Sequence, residues 1–311
     1  MKNRFRSAEI PTGIGSSLLI PVDFSKKDLI AVEEGFALAF RLRLEVTLIH
    51  ATPIPEPYLY PQFPDDYNGT DTVDELIGEE EMIEESSMIA DKGMKRLKGW
   101  IRQSVEEGKL PEINIHEIIA PGMPEEVICE YCSVAKPALV VMTTRDREQR
   151  QEELVGSVTA EVVDNCRTPV WAIPEGYSFV RLENIVRLCS FCYLEGFDHL
   201  GIDFLMKMFS DPVVEIHLFP INDKLREDEI VDRMAALLKR LSERYPQAKF
   251  IGEEYTQGEM RQNAENLIDI DKIQMIIAPN KKRNFLARLF HPGLPHRILF
   301  ENDLPLLAIP V

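Results

Sequence analysis

Three clusters of residues in this chain have the types and spacing for nucleotide chemistry. The first is Pro21-Val22-Asp23-Phe24-Ser25, at the end of an apolar run. The second is His50-Ala51. The third starts at Met142-Thr143 and resumes, beyond Asp146, at Gly156-Ser157-Val158. An open α/β sheet binds ligands beyond the carboxyl ends of its strands, where strand order reverses. Glycine lets a backbone approach a polyphosphate and adopt conformations closed to other residues. A serine at a helix start caps the helix, and the unpaired N–H groups there bind an anion. Each residue also has a plainer reading. Asp23 suits a strand-end Asx turn or helix cap before Ser25, and Ser157 a simple helix cap.

These residues need strands and helices to carry them. Ser17–Val22 is a continuous apolar run, as expected of a buried parallel strand. A helix follows, with Leu29, Val32, Phe36, Ala39 and Phe40 on its apolar face. Further strands are expected at Val46–Ile49, Ile113–Ile119, Ala138–Met142 and Pro169–Ile173, and helices at Pro124–Val134 and Ser157–Asn165. The second half repeats this order. Its strands are expected at Asn184–Cys189, Val213–Leu218, Lys249–Gly252, Gln274–Ala278 and Leu306–Ile309. One helix carries Phe197, Leu200, Phe204, Leu205 and Met208, and a longer one Ile230, Met234, Leu237, Leu238, Leu241 and Tyr245. Alternating strands and helices imply parallel sheets with helices on both faces.

The repetition is visible in the residues. Gly122–Pro174 recurs without gaps as Gly258–Pro310, a shift of 136. Pro169 matches Pro305, and Ala172-Ile173-Pro174 matches Ala308-Ile309-Pro310. Aligning Leu18–Asp23 with Ile185–Ser190 gives a shift of 167 and places Ser190 at the position of Asp23. The first half then holds about 31 extra residues around Pro53–Ala90, Pro- and Tyr-rich at first, then acidic. That insertion reads as a solvated loop with an extended helix, or as a partner-docking arm or flap. The expected domains are residues 1–176 and 181–311, joined near Gly176.

The chain has 35 basic and 52 acidic residues among 311, a net charge of −17. This disfavours nucleic acid and anionic membranes as partners. No apolar run approaches the roughly 20 residues needed to span a bilayer. Met1–Ile10 does not read as a secretory signal, so a cytoplasmic location is expected. The five cysteines are too few and scattered for a disulfide framework. Cys129/Cys132 and Cys189/Cys192 have zinc-like spacing but lie in separate halves, in a helix face and a buried strand, so no metal is expected. His291 and His296 lack a third ligand, and no catalytic motif is visible.

Taken together, the residues resemble the universal stress protein family. Ile20-Pro21-Val22-Asp23-Phe24-Ser25 matches its first-strand ending, and His50-Ala51 is similar to the His-Val that often ends its second strand. Its ATP-binding members carry Gly, two residues, Gly, nine residues, then Gly-Ser/Thr. Here the spacing and Gly156-Ser157 are kept, while Thr143 and Asp146 replace the earlier glycines. Asp146 adds repulsion and bulk, partly offset by Arg145 and Arg147. The resemblance covers both halves. It implies two doubly wound, five-stranded domains of the Rossmann-like, adenine-nucleotide alpha-hydrolase-like type. It also implies that Val170–Ile173 and Leu306–Ile309 meet antiparallel, making the chain an intrachain pseudo-dimer.

By the same resemblance, Asp23 would bond the adenine end of ATP or another adenine nucleotide. Pro21, Val22, Ala51 and Met142 would line its slot, with Thr143, Gly156, Ser157 and Val158 toward the phosphates. The second half has Pro279, Lys282 and Pro292 at the glycine positions, and Lys281-Lys282-Arg283 is its basic patch. Three functions stand open. One is a non-catalytic stress-response protein that binds nucleotide weakly in its first half. Another is a nucleotide-free scaffold for a protein partner, and the third is a slow nucleotide hydrolase. Homo-oligomerisation is left open.

Overall fold

The structure is a computed structural model. It describes Phe5 and residues 15–52, 73–144, 157–174, 187–196, 198–208, 214–221, 225–253, 273–280 and 304–311. For residues 73–83, 157 and 208 the backbone alone is described. The chain divides into two compact units, Met1–Ala138 and Leu139–Val311.

The first unit contains β1 (Ser17–Pro21), α1 (Asp28–Leu42), β2 (Glu45–Thr52), α2 (Val73–Glu106), β3 (Ile115–Pro121) and α3 (Pro124–Ala135). Its strands lie in the order β3-β2-β1, all parallel. Leu18, Leu19 and Ile20 have no exposed surface, because both faces of β1 are covered. Pro124 starts α3 at a position where a missing N–H costs nothing, and Glu125 and Glu126 suit the positive end of its dipole. Inside, Tyr131 lies edge-on to Phe5 and within 3.2 Å of the Thr47 hydroxyl.

The buried face of α1 is rotated from the expected one. It runs through Ala31, Val32, Gly35, Phe36, Leu38 and Ala39, and leaves Phe40 65% exposed. Gly35 explains the rotation. A Cβ there would lie 2.5 Å from Ile20 Cδ1, so the helix meets the sheet at its glycine and the stripe is centred there.

The second unit contains β4 (Leu139–Thr143), α4 (Ser157–Asn165), β5 (Val170–Ile173), β6 (Arg187–Cys192), α5 (His199–Met208), β7 (Glu215–Pro220), α6 (Glu227–Arg244), β8 (Lys249–Gly252), β9 (Met275–Asn280) and β10 (Leu306–Pro310). The order is β4-β5-β10-β9-β6-β7-β8. Neighbours are parallel except β5 and β10, which pair antiparallel with Trp171 opposite Leu307. The Asn280 amide donates to the Val163 carbonyl of α4, so β9 is also fastened to the helix before β5. On β7, His217 is 3% exposed and bonded to Glu253 at 2.7 Å and Glu215 at 3.1 Å. The bond to Glu253 is the main cause that raises its pKa. Among the described residues, no helix is long and apolar enough to cross a membrane.

The turns that follow the first strands correct one alignment. Val140 pairs with Val170, and Ile276 with Leu306, a shift of 136 at both positions. Ser17 pairs with Glu45, and Arg187 with Glu215, a shift of 170. The left-handed residues that follow these strands, Phe24 and Leu194, lie 170 apart, so the first strands correspond at 170 rather than 167, and β6 (Arg187–Cys192) runs on past the expected end at Cys189. Ser190 does not occupy the position of Asp23; it is buried within β6. The separation from Val46 to its partner Ile115 exceeds that from Ile216 to Phe250 by 35 residues, which locates the extra length between β2 and β3. On α5, Ile202, Leu205 and Met206 are buried and Leu200 is 42% exposed, because Gly201 sets the close approach to Ile277 and Ile309.

A buried carboxyl on α1 makes the first unit sensitive to pH. Glu34 is 1% exposed, and its Oε2 has no partner among the described residues. Burial, helped by the charge of Glu33, pushes its pKa from 4.5 to about 7. The folded state thus holds a proton that the unfolded state releases, and stability falls as pH rises between those values. Glu34→Gln should flatten this fall by about one proton per molecule in denaturant titrations across the window. An unchanged slope would show that Glu34 is charged in the folded protein.

Candidate functional site

The candidate site begins where β1 stops. The Val22 N–H donates to the Ile49 carbonyl at 2.9 Å, one last sheet-like bond. The chain then turns at Phe24, whose φ of 63° is left-handed. That conformation is uncommon for a non-glycine residue and costs energy unless its surroundings enforce it. The enforcing group is Asp28, the first residue of α1. Its Oδ2 accepts the Phe24 N–H at 2.6 Å and the Asp23 N–H at 3.1 Å. A carboxylate here also faces the positive end of the α1 dipole. Asp28 is 5% exposed. Burial pushes its pKa from 3.8 to about 7, the Asp23 charge adds to the rise, and the two N–H bonds oppose it.

The same turn sets the side chains beyond the strand. Asp23 is exposed, and its Oδ1 accepts the Ser25 N–H at 2.9 Å. This is the Asx turn anticipated as the plainer reading. His50 donates from Nδ1 to the Val22 carbonyl at 2.7 Å, and its ring lies 4.3 Å from that of Phe24. On the other side Phe24 meets α2 at Gly93, where a Cβ would sit 2.4 Å from the ring. Gly93 thus lets α2 close over the turn.

Of the expected site residues in the first unit, Pro21, Val22 and Asp23 follow one another at the end of β1, and Ala51 lies near the end of the adjacent β2, opposite Ala120. In the second unit, Met142 is buried near the end of β4, and Thr143 ends that strand. The Thr143 carbonyl accepts the Thr159 hydroxyl at 3.3 Å, tying β4 to α4. Ser157 is the first residue of α4, and Val158 follows it half-buried. Gly156, Arg145, Asp146, Arg147, Lys281, Lys282, Arg283, Pro292 and residues 53–72 lie outside the described residues. No group of three His, Cys, Asp or Glu suited to a metal occurs among the described residues. Cys189 and Cys192 are three apart on one strand, so they point to opposite faces and cannot share an ion.

The turn has a counterpart in the second unit. Leu194 has φ 57°. Asp198 accepts the Tyr193 N–H at 2.7 Å and the Glu195 N–H, and burial raises its pKa. Leu194 and Asp198 each lie 170 residues after Phe24 and Asp28. Tyr193 therefore occupies the position of Asp23. Asp28 and Asp198 were not singled out from sequence. The visible clue was an Asp three residues after the Ser of Asp23-Phe24-Ser25, repeated three residues after the Glu of Tyr193-Leu194-Glu195.

Gly93→Ala provides a test of this packing. In an open helix the change would stabilise by about 1 kcal/mol. Here the added methyl must displace the Phe24 ring, and overpacking costs about 1–3 kcal/mol. Denaturant unfolding should show a net loss. A net gain would show that α2 does not close on Phe24.

Comparisons with other proteins agree with this architecture. Residues 16–174 match the universal stress protein family. A universal stress protein from Archaeoglobus fulgidus DSM 4304 shares the fold, with 13% identity, 95% of this chain and 98% of that chain covered, and a TM-score of 0.66. A putative universal stress protein from Pseudomonas aeruginosa UCBPP-PA14 has 10% identity, coverage of 95% and 93%, and a TM-score of 0.53. A universal stress protein in complex with cAMP has 16% identity, covers 53% of this chain and 100% of its own, and has a TM-score of 0.32. No curated protein matches significantly. With just over half of its length matched by the family, the chain belongs to the universal stress protein family.

Proposed function

We propose that this is a non-catalytic, cytoplasmic stress-response protein whose first half binds ATP or another adenine nucleotide weakly. The observation that carries the reading is the strand-end turn. It leaves the Asp23 carboxylate exposed at the carboxyl end of β1, where open α/β sheets take ligands. In this reading Asp23 bonds the adenine end, while Pro21, Val22, Ala51 and Met142 form the slot. Thr143, Gly156, Ser157 and Val158 serve the phosphate end. Asp146, and Thr143 in place of glycine, make that end poor, hence the weak affinity.

The second half is proposed as a structural partner, the two halves forming a pseudo-dimer. Three observations favour this. Tyr193 replaces the acid at the strand-end turn. Pro279, at the position of Thr143, lies within β9 and lacks an N–H donor. The Asn280 amide is engaged with Val163, and β10 with β5. An unidentified protein partner remains part of the proposal.

Calorimetry with ATP and AMP tests it. Saturable heat is expected at about 1 mM nucleotide, roughly 4 kcal/mol of binding. Asp23→Ala should weaken it about tenfold, as expected for one lost charge-assisted bond. No heat at that concentration would leave the scaffold reading, and unchanged affinity in Asp23→Ala would remove Asp23 from the site.

A further inference from the structure

A cleft in the first unit lies between α2 and the edge strand β3. It encloses about 460 Å³. Asp91, Lys95, Gly99 and Arg102 follow one another along a single face of α2, with Met94 and Lys98 beside them. Glu117 and Ile119 of β3 form the opposite wall.

The charges are arranged unusually for so acidic a chain. Lys98 is paired with Glu117 at 2.9 Å, so those two charges offset each other. Among the described residues no ion pair engages Lys95 or Arg102, although the sequence holds 52 acidic residues. The two cations stand two helical turns apart, about 10 Å along the axis. Gly99 lies between them. Its backbone is helical, and a Cβ there would meet nothing within 4 Å. Packing therefore does not require glycine, and alanine would stabilise the helix by about 1 kcal/mol. The glycine is explained if a ligand lies over it.

The geometry points to a binding site for a small, soluble diphosphate or phosphate ester, bridging Lys95 and Arg102 across the bare backbone of Gly99. Mid-helix amides are already donated within the helix, so the anion is held by side chains. Arg102 offers a two-pronged donor and Lys95 a point charge. Asp91 lies one turn beyond Lys95 and repels anions there, so the phosphates sit between Lys95 and Arg102. This site does not depend on the nucleotide reading, which concerns other residues.

Inorganic pyrophosphate is the probe, titrated into the full chain by calorimetry with amide NMR shifts followed on α2 and β3. Saturable binding is expected, with shifts around Gly99. Lys95→Gln/Arg102→Gln should weaken it at least about tenfold while the circular dichroism stays unchanged. Gly99→Ala should raise Tm yet weaken binding, and Gly99→Leu should abolish it. Three results would each overturn the proposal: no saturable binding, full affinity in the double variant, or Gly99→Leu binding like the parent. The last two would also place pyrophosphate elsewhere. None of these results bears on Asp23.

Discussion

The end of β1 depends on one buried carboxyl. Asp28 gathers the N–H groups of Asp23 and Phe24 and so holds Phe24 in a left-handed turn that its side chain alone would disfavour. Everything placed around the turn follows from it. Phe24 is thrown between His50 and Gly93, which sets how near α2 comes. Val22 keeps its carbonyl for His50. Asp23 is left exposed beyond the strand. Removing such a carboxylate leaves two part-buried donors unmatched, at up to about 1–3 kcal/mol each. The same contact carries its own pH dependence, because burying an acid raises its pKa.

The recurrence at Leu194 and Asp198 separates scaffold from ligand chemistry. What is shared is the means of turning from strand to helix. What differs is the side chain that the turn presents, Asp23 in one case and Tyr193 in the other. A fold can keep a costly backbone turn for mechanical reasons while the position that would meet a ligand changes. In the second unit β5 pairs antiparallel with β10, and the Asn280 amide bonds to Val163.

Much of this was legible in the residues. The unbroken apolar run ending at Val22 identified β1, because a strand covered on both faces shows no alternation. The sequence pattern for a helix at Ser157–Asn165 matches α4 to the residue, and the pairing of Val170–Ile173 with Leu306–Ile309 is what the family resemblance implies. The failures have physical causes. Hydropathy alone leaves the alignment of the two first strands three residues out of step, since Ile185 and Val186 are as apolar as Leu188. The turn at Leu194 fixes the register, and a left-handed leucine has no composition to betray it. Hydrophobicity alone puts Phe40 and Leu200 inside, whereas the close-approach glycines Gly35 and Gly201 centre each buried face and leave both exposed. Asp28 was overlooked because an acid in a first helical turn usually needs no explanation beyond the dipole.

The most direct test of the account is the titration of Asp28 itself, read from its side-chain carboxyl carbon by NMR and assigned with Asp28→Asn. The account predicts a midpoint near 7, far above the ordinary 3.8, with the Asp23 and Phe24 amide shifts moving in step. A midpoint near the ordinary value would mean that burial does not dominate at Asp28, and amides indifferent to its titration would mean that it does not hold the turn.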